Sequence, residues 1–470
     1  MKSFIEYYIS ISVDLRSLVS RFFFRAGAAS LKSGLMKLFS LGSFWSCIPA
    51  VLRPFRPASL SFCVIVLVLS VTGASAQYNT NFLNYSKTGR SVSANLDFEA
   101  GSNGMSTGLV NKLIWGGYID NDLKAESAKH LKAKNNFGLL LNYDVHSFFK
   151  GTKKFDFLIG IKEQQVLNAT YSRDAFNLMF YGNQMYRGQT ADLSNLSLNA
   201  LRFQEIKFGA IMHHVDSVGK IGVSVSLIKG EQLFYIKTNN NSGLYTSADG
   251  SEIVFNSNFN MALSDTNNKR IGGFNGIGAS ADIFFETTYK SRGGKKCLLT
   301  VNANNIGFIH WWKNSVQYSS DSSLRYTGYN IRNINDLKDS TISAIDSDSL
   351  LRKLTNARTE DFNVNIPTNL VIINKIYFGN VFCLGTGFRY IFNANYRPYI
   401  FVEPEFKIKN VIFCLHGGYG GYVKVNIGAS VTWNSKGWFV RLGSNSLQGY
   451  FAPKTAYGQG VFVTLAKKLK

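Results

Sequence analysis

Few side chains in this sequence stand at the spacings that catalysis or metal binding requires. Gly276-Ile277-Gly278-Ala279-Ser280-Ala281 fits the letters of a dinucleotide fingerprint, whose glycines bring backbone close to a pyrophosphate at a helix N-terminus. Residues 282–288 continue in the manner of a strand, so small residues beside a crowded interior or a neighbouring strand explain the run better. His213-His214 ends a strand-like stretch, where adjacent side chains point to opposite faces and do not converge on one metal. His310 precedes Trp311-Trp312, an arrangement suited to a membrane interface. Asp120-Asn121-Asp122 and Asp346-Ser347-Asp348 begin like calcium loops but lack the glycine and the closing glutamate, and read as solvated loops. No phosphate loop, HExxH or GxSxG is present. A lipase would need a serine set against a histidine and an acid, and nothing nominates one. The sequence thus points to no catalytic residue, no cofactor and no metal centre, and to a non-enzyme.

What the chain does carry is a rhythm of two. Ile221, Val223, Val225 and Leu227 alternate with Gly222, Ser224 and Ser226, and similar runs recur from residue 91 to residue 465. Alternate strand residues face opposite sides, so each run has one greasy face and one small or polar face. Several runs reach ~10 residues, the length of a tilted membrane strand. Nothing after residue 77 offers the roughly 20 apolar residues of a membrane helix.

The chain also carries an export signal. Residues 60–71 (LSFCVIVLVLSV) are a short apolar run after Arg53 and Arg56, followed by Ala74-Ser75-Ala76, a small-x-small cleavage site. Residues 1–76 therefore read as a signal peptide, with Met36 as an alternative start. Residues 77–470 read as the mature protein. An exported protein made almost wholly of such strands is expected to be a closed barrel in an outer membrane.

The formal charge is +22. Eight of the 51 basic and two of the 29 acidic residues lie in the leader, which leaves 43 against 27, a net of +16. These charges scatter through turns and loops without a nucleic-acid motif, so anionic lipid headgroups or lipopolysaccharide phosphate are the expected partners rather than nucleic acid. Cys297, Cys383 and Cys414 remain in the mature chain, each in or beside an apolar run, and read as small hydrophobes.

Along the chain, residues 106–133 break the rhythm with helix-like spacing at Leu109, Leu113, Ile119, Leu123 and Leu131, and are expected to form a helical plug. Ser172-Arg173-Asp174 reads as the start of a short helix at 175–181. Strands are expected near 200–213, 219–229, 231–238, 252–263 and 276–288, and again repeatedly from 297 to 466, with tight turns at Gly379-Asn380 and Ser435-Lys436-Gly437. Residues 238–249, 265–269, 314–323 and 333–361 read as polar loops, the last with a helix near Leu350, Leu351 and Leu354. The expected fold is all-β, a transmembrane antiparallel barrel of about 14 strands (12–16) with a small internal helical plug.

Several segments carry a likeness. Phe180-Tyr181-Gly182-Asn183 with Gly188 and Ala191-Asp192-Leu193, then Asn305-Ile306-Gly307-Phe308-Ile309 leading to Trp311, resemble an uncharacterised group of outer-membrane barrels from Bacteroidota. That group is a domain of unknown function within the broad FadL/PorV-like set. Tyr326-Thr327-Gly328-Tyr329, Ile366-Pro367-Thr368-Asn369-Leu370 and the glycine-rich hairpins of 417–447 are also similar. The mature N-terminus, Gln77-Tyr78-Asn79, departs from the Asn-Pro-Ala-like opening of many relatives, and Lys470 replaces their terminal aromatic. The resemblance implies passive transport of hydrophobic or amphipathic small molecules, as in FadL-like barrels. Leu109, Leu113, Trp311 and Trp312 are then the candidate lumen or ligand residues, and Val371-Ile372-Ile373 and Val411-Ile412-Phe413 would help line the passage. PorV-like relatives imply an alternative, a surface component of a secretion apparatus, with secretion proteins as partners. A barrel of either kind also depends on the barrel-assembly machinery. An outer-membrane hydrolase is the remaining and weakest reading.

Overall fold

The computed structural model describes residues 90–469 apart from 153, 214–218, 266–267, 269–271, 313 and 328–355. The leader, His214, the Asp346–Asp348 loop and the helix expected after it lie outside the described residues. The chain begins with β1 (Ser91–Ser102), helices α1 (Thr107–Trp115) and α2 (Asn121–Lys129), then β2 (Lys134–Lys150) and β3 (Phe155–Ser172). Helix α3 (Arg173–Tyr181) leads to β4 (Gln189–Asp192), β5 (Ser197–His213), β6 (Gly219–Thr238), β7 (Gly243–Thr246) and β8 (Ile253–Leu263). Next come β9 (Gly276–Lys290), β10 (Lys296–Trp311), β11 (Val316–Tyr326), β12 (Asn356–Thr359), β13 (Phe362–Asn365) and β14 (Thr368–Phe378). The closing hairpins are β15 (Phe382–Phe392), β16 (Arg397–Ile408), β17 (Val411–Gly421), β18 (Val425–Ser435), β19 (Trp438–Ser444), then α4 (Gln448–Phe451) and β20 (Gly458–Lys468).

Fourteen of these strands close an antiparallel barrel. Its order is β1, β2, β3, β5, β6, β9, β10, β14 and then β15 to β20 in sequence. Closure is the pairing of β20 with β1, from Ser91 opposite Lys468 to Gly101 opposite Gly458. Every strand of the ring pairs with a neighbour on both sides, which is the form a sheet needs in a medium without water.

Short turns join the strands at one end, here the turn end, including 151–154, 291–295, 409–410 and 436–437. Lys436 and Gly437 both have positive φ (49° and 78°), the two-residue turn whose twist matches a hairpin. The opposite, loop end carries the longer connections. There Ser172 caps α3 as its sequence suggests, its Oγ accepting from Ala175 N at 2.9 Å. Helix α2 also belongs to the loop end, held where Ser127 Oγ accepts from Ser106 N at 3.1 Å. Residues 109–120, with most of α1, form a separate unit by packing.

The sheet does not stop at the rim. β6 is one strand rather than the two expected, bulged at Glu231, where Arg202 pairs with Gln232 and Phe203 with Gly230. Beyond the bulge β6 leaves β9 and pairs with β8, which pairs with β7 and β11, and these carry β4 and β12 outward. The stretches 238–249 and 314–323, expected as polar loops, therefore contain β7 and most of β11. They escaped notice because a strand beyond the rim needs no apolar face. In this extension Asp249 accepts from Ser247 Oγ at 2.6 Å and Ser251 N at 3.1 Å, bonds that hold its carboxyl down at about 2.

Alternation sorts the wall residues cleanly. Ile221, Val223, Val225 and Leu227 of β6 and Phe157, Ile159 and Ile161 of β3 are exposed on the outer face, Leu227 at 63%. Ser224 and Ser226 are buried inside. An exposed apolar band of this extent is what acyl chains wet. On β3 and β5 the band ends at a polar outer patch, where Glu163 accepts from Tyr143 Oη at 2.9 Å and Arg202 Nε at 2.8 Å.

The same rule corrects one expectation. Val371 and Ile373 face inward and are buried, whereas Ile372 between them faces out. Phe413 likewise is exposed outside, flanked by Ile412 and Cys414 on the inner side. Consecutive strand residues cannot all line one lumen.

Candidate functional site

The barrel interior is the richest concentration of chemistry in the molecule, and it is polar. Its centre is a second bulge, between Ala303 and Ile306 of β10. Asn305 sits there with φ of 63°, a left-handed conformation that asparagine tolerates better than most residues. The bulge turns Asn305 into the lumen. Its amide N donates to Asp282 Oδ1 at 2.8 Å, its Nδ2 donates to Gln164 Oε1 at 2.8 Å, and its Oδ1 accepts from Lys162 Nζ at 2.8 Å.

Charge spreads outward from this hub in compensated pairs. Lys162 reaches Glu205 at 3.3 Å, and Lys207 lies between Glu205, at 3.8 Å, and Asp282, which it contacts directly. All three of Glu205, Lys207 and Asp282 are buried. Arg389 Nη1 donates to Glu99 at 2.8 Å and its Nε donates to Asn369 at 3.0 Å. Asn95 Nδ2 donates to Asp144, which also meets His146 Nδ1, both at 2.7 Å.

Several of these contacts cross the lumen. Glu99 on β1 and Arg389 on β15 stand on nearly opposite sides of the ring. Nearer the loop end, Asn395 accepts on its carbonyl from Asn136 Nδ2 and donates to Ser197 Oγ, both at 3.0 Å. Tyr422 crosses to hydrogen-bond Asn168. Gly138 makes room for that ring, since a Cβ there would lie 2.1 Å from it.

Apolar clusters complete the filling. Leu201, Phe203, Ile228, Leu233, Ile309, Trp311 and Ile366 form one between β5, β6 and β10, and Phe148, Leu158, Ile211 and Phe284 form another toward the turn end. Among the described residues, a cavity of about 50 Å³ lies between Asp97, Asn142, Asp144, Lys162, Asn305 and Arg389. It has room for a few water molecules.

Among groups able to hold a metal, Glu403, Glu405 and Cys414 bring ligand atoms within 4.8 Å of one another. Their charge is already answered. Lys375 Nζ lies 2.7 Å from Glu405, His416 Nδ1 lies 3.0 Å from Glu403, and buried Arg441 faces both carboxylates. Cys297, Cys383 and Cys414 are all buried thiols outside any disulfide.

The candidate residues scatter. Trp311 is fully buried in the first apolar cluster, where Gly230 lies against its ring. Trp312 is partly exposed, its ring 4.6 Å from Phe274 and near His310 and Asp361. In α1, Leu109 is buried and Leu113 exposed. Gly276 and Gly278 serve strand packing: a Cβ on Gly278 would meet Phe308 O at 2.2 Å. Reading by motif missed Lys162, Glu205, Lys207, Asp282, Asn305 and Arg389. For the five charged residues among these the signal was charge placed on the small-residue face of a strand, as Asp97 and Glu99 are in β1.

A model of a family of unknown function, DUF5723, matches residues 87–439. No curated protein matches the chain. Among solved structures it is similar to the toluene transporter TodX of P. putida (11% identity, TM-score 0.41, 85% of this chain and 96% of that one). It is similar also to the Ralstonia pickettii toluene transporter TbuX (10%, 0.40, 82% and 90%) and to the translocator domain of the autotransporter NalP from Neisseria meningitidis (7%, 0.34, 88% and 97%).

Proposed function

From the premise that the chain belongs to the family of unknown function DUF5723, we propose that it is an outer-membrane barrel shut by its own ionic core, working at its loop end as a docking platform for a protein partner. The cross-lumen bonds of Arg389, Asn305 and Asn395 support this reading, because side chains joined across the lumen narrow any passage through it. Short turns generally face the periplasm in such barrels and long connections face outside, a rule that supports a cell-surface position for the extension. Its margin suits a partner. β12 is exposed at every residue and, among the described residues, pairs on one side only, so a strand of another chain can add to it.

One feature supports the transport reading instead. β19 has seven residues against eleven in β18 and β20, so the wall is notched on its loop side. Residues 445–457 fill the notch, with Gln448 bonding the free backbone of Val425 and Ile427 at 2.9 and 3.0 Å, and Phe451 83% exposed. A hydrophobic molecule could exchange with the bilayer there if that segment moved.

A photoreactive residue in place of Arg358, compared in intact cells with one in place of Lys436, separates the readings. Discrete protein adducts from position 358 alone are expected. No adduct, together with loss of hydrophobic-compound uptake on deletion of the gene, would favour transport.

A further inference from the structure

The basic surplus is not shared evenly between the two ends of the barrel. Lys290, Arg292, Lys295 and Lys296 surround a single turn, Lys467 and Lys468 end β20, and exposed Lys154, Lys409 and Lys436 stand one in each of three other turns. Within the described turns and the two residues flanking each, the one carboxylate is Asp156, which meets His213 at 2.8 Å. The loop end mixes signs instead, with Asp122, Glu126 and Asp192 among Lys124, Lys129 and Lys454.

Depth identifies what these cations meet. Lys295 Nζ lies 4.0 Å from the ring centre of Phe378, and Lys467 Nζ lies 4.3 Å from that of Trp438. Both rings are exposed at the edge of the apolar band. An ammonium resting on a lipid-facing ring stands at headgroup level, its stem along the apolar surface. Lipopolysaccharide would meet the other end, where the charges balance.

We propose that the turn-end rim is a collar that binds the anionic phospholipid headgroups of the leaflet it faces. The proposal rests on the outer-membrane reading above. The test reconstitutes the full chain into nanodiscs of phosphatidylcholine with a minority of phosphatidylglycerol and counts the lipids retained after extraction by native mass spectrometry. Wild type should retain phosphatidylglycerol with several-fold preference. The combined change Lys290→Gln, Lys295→Gln, Lys296→Gln, Lys467→Gln and Lys468→Gln should abolish it, while Arg at the same five positions preserves it. The loop-end set Lys124→Gln, Lys129→Gln and Lys454→Gln should leave it unchanged. Preference that survives the rim change, or falls with the loop-end set, overturns the collar. A chain that never enters lipid overturns the membrane reading itself, whereas inserted barrels indifferent to headgroup charge overturn the collar alone.

Discussion

Replacing Lys207 by methionine is expected to destabilise the folded barrel by about 3–5 kcal/mol. Lys207 is the buried cation between Glu205 and Asp282, both of which are buried as well. Methionine fills similar volume, so the loss is electrostatic: two carboxylates remain in a buried interior, and of the two Lys162 pairs directly with Glu205. Burying an ion pair costs desolvation, and its net contribution is small, yet removing one partner leaves the other uncompensated. The companion prediction follows from that asymmetry. Adding Glu205→Gln and Asp282→Asn to Lys207→Met should recover most of the loss, which a packing defect at residue 207 would not allow. The readout is the urea midpoint for loss of the compact, heat-sensitive species in vesicles.

The second large effect concerns the outer face. Val225→Arg, with apolar outer neighbours on both sides along β6, should cost about 2–4 kcal/mol, the range for a cation deep in the lipid-facing band of a barrel strand. Asp321→Arg, exposed on β11 beyond the rim, should stay within about 0.5 kcal/mol. The pair is informative because both sites are exposed β-strand positions and differ only in the solvent assigned to them. Equal stability of the two variants in vesicles would mean that water, rather than lipid, wets the band around Val225.

Much of the barrel was legible because one physical rule generates it. Residues 276–288 and 458–466 alternate and become β9 and β20, and Ser172 and Lys436-Gly437 sit where a helix cap and a hairpin turn are needed. Strands outside the membrane were not legible. β11 has no greasy face because neither of its faces meets lipid, so its Ser319-Ser320-Asp321-Ser322-Ser323 reads as loop. The lumen was half legible. That Asp97 and Glu99 share the inner face of β1 follows from alternation, but that Glu99 finds Arg389 does not, since the pairing spans 290 residues. Asn305 was least visible of all, because only the bulge at Ala303/Ile306 turns it inward.

Ionic conductance across bilayers containing the folded chain tests the closed core most directly, with folding verified by heat-dependent gel mobility. The contacts joining Glu99 to Arg389 and Lys162 to Asn305 predict current no greater than that of bare lipid. Stable, ohmic steps that recur with each inserted barrel would show an open lumen and contradict the account.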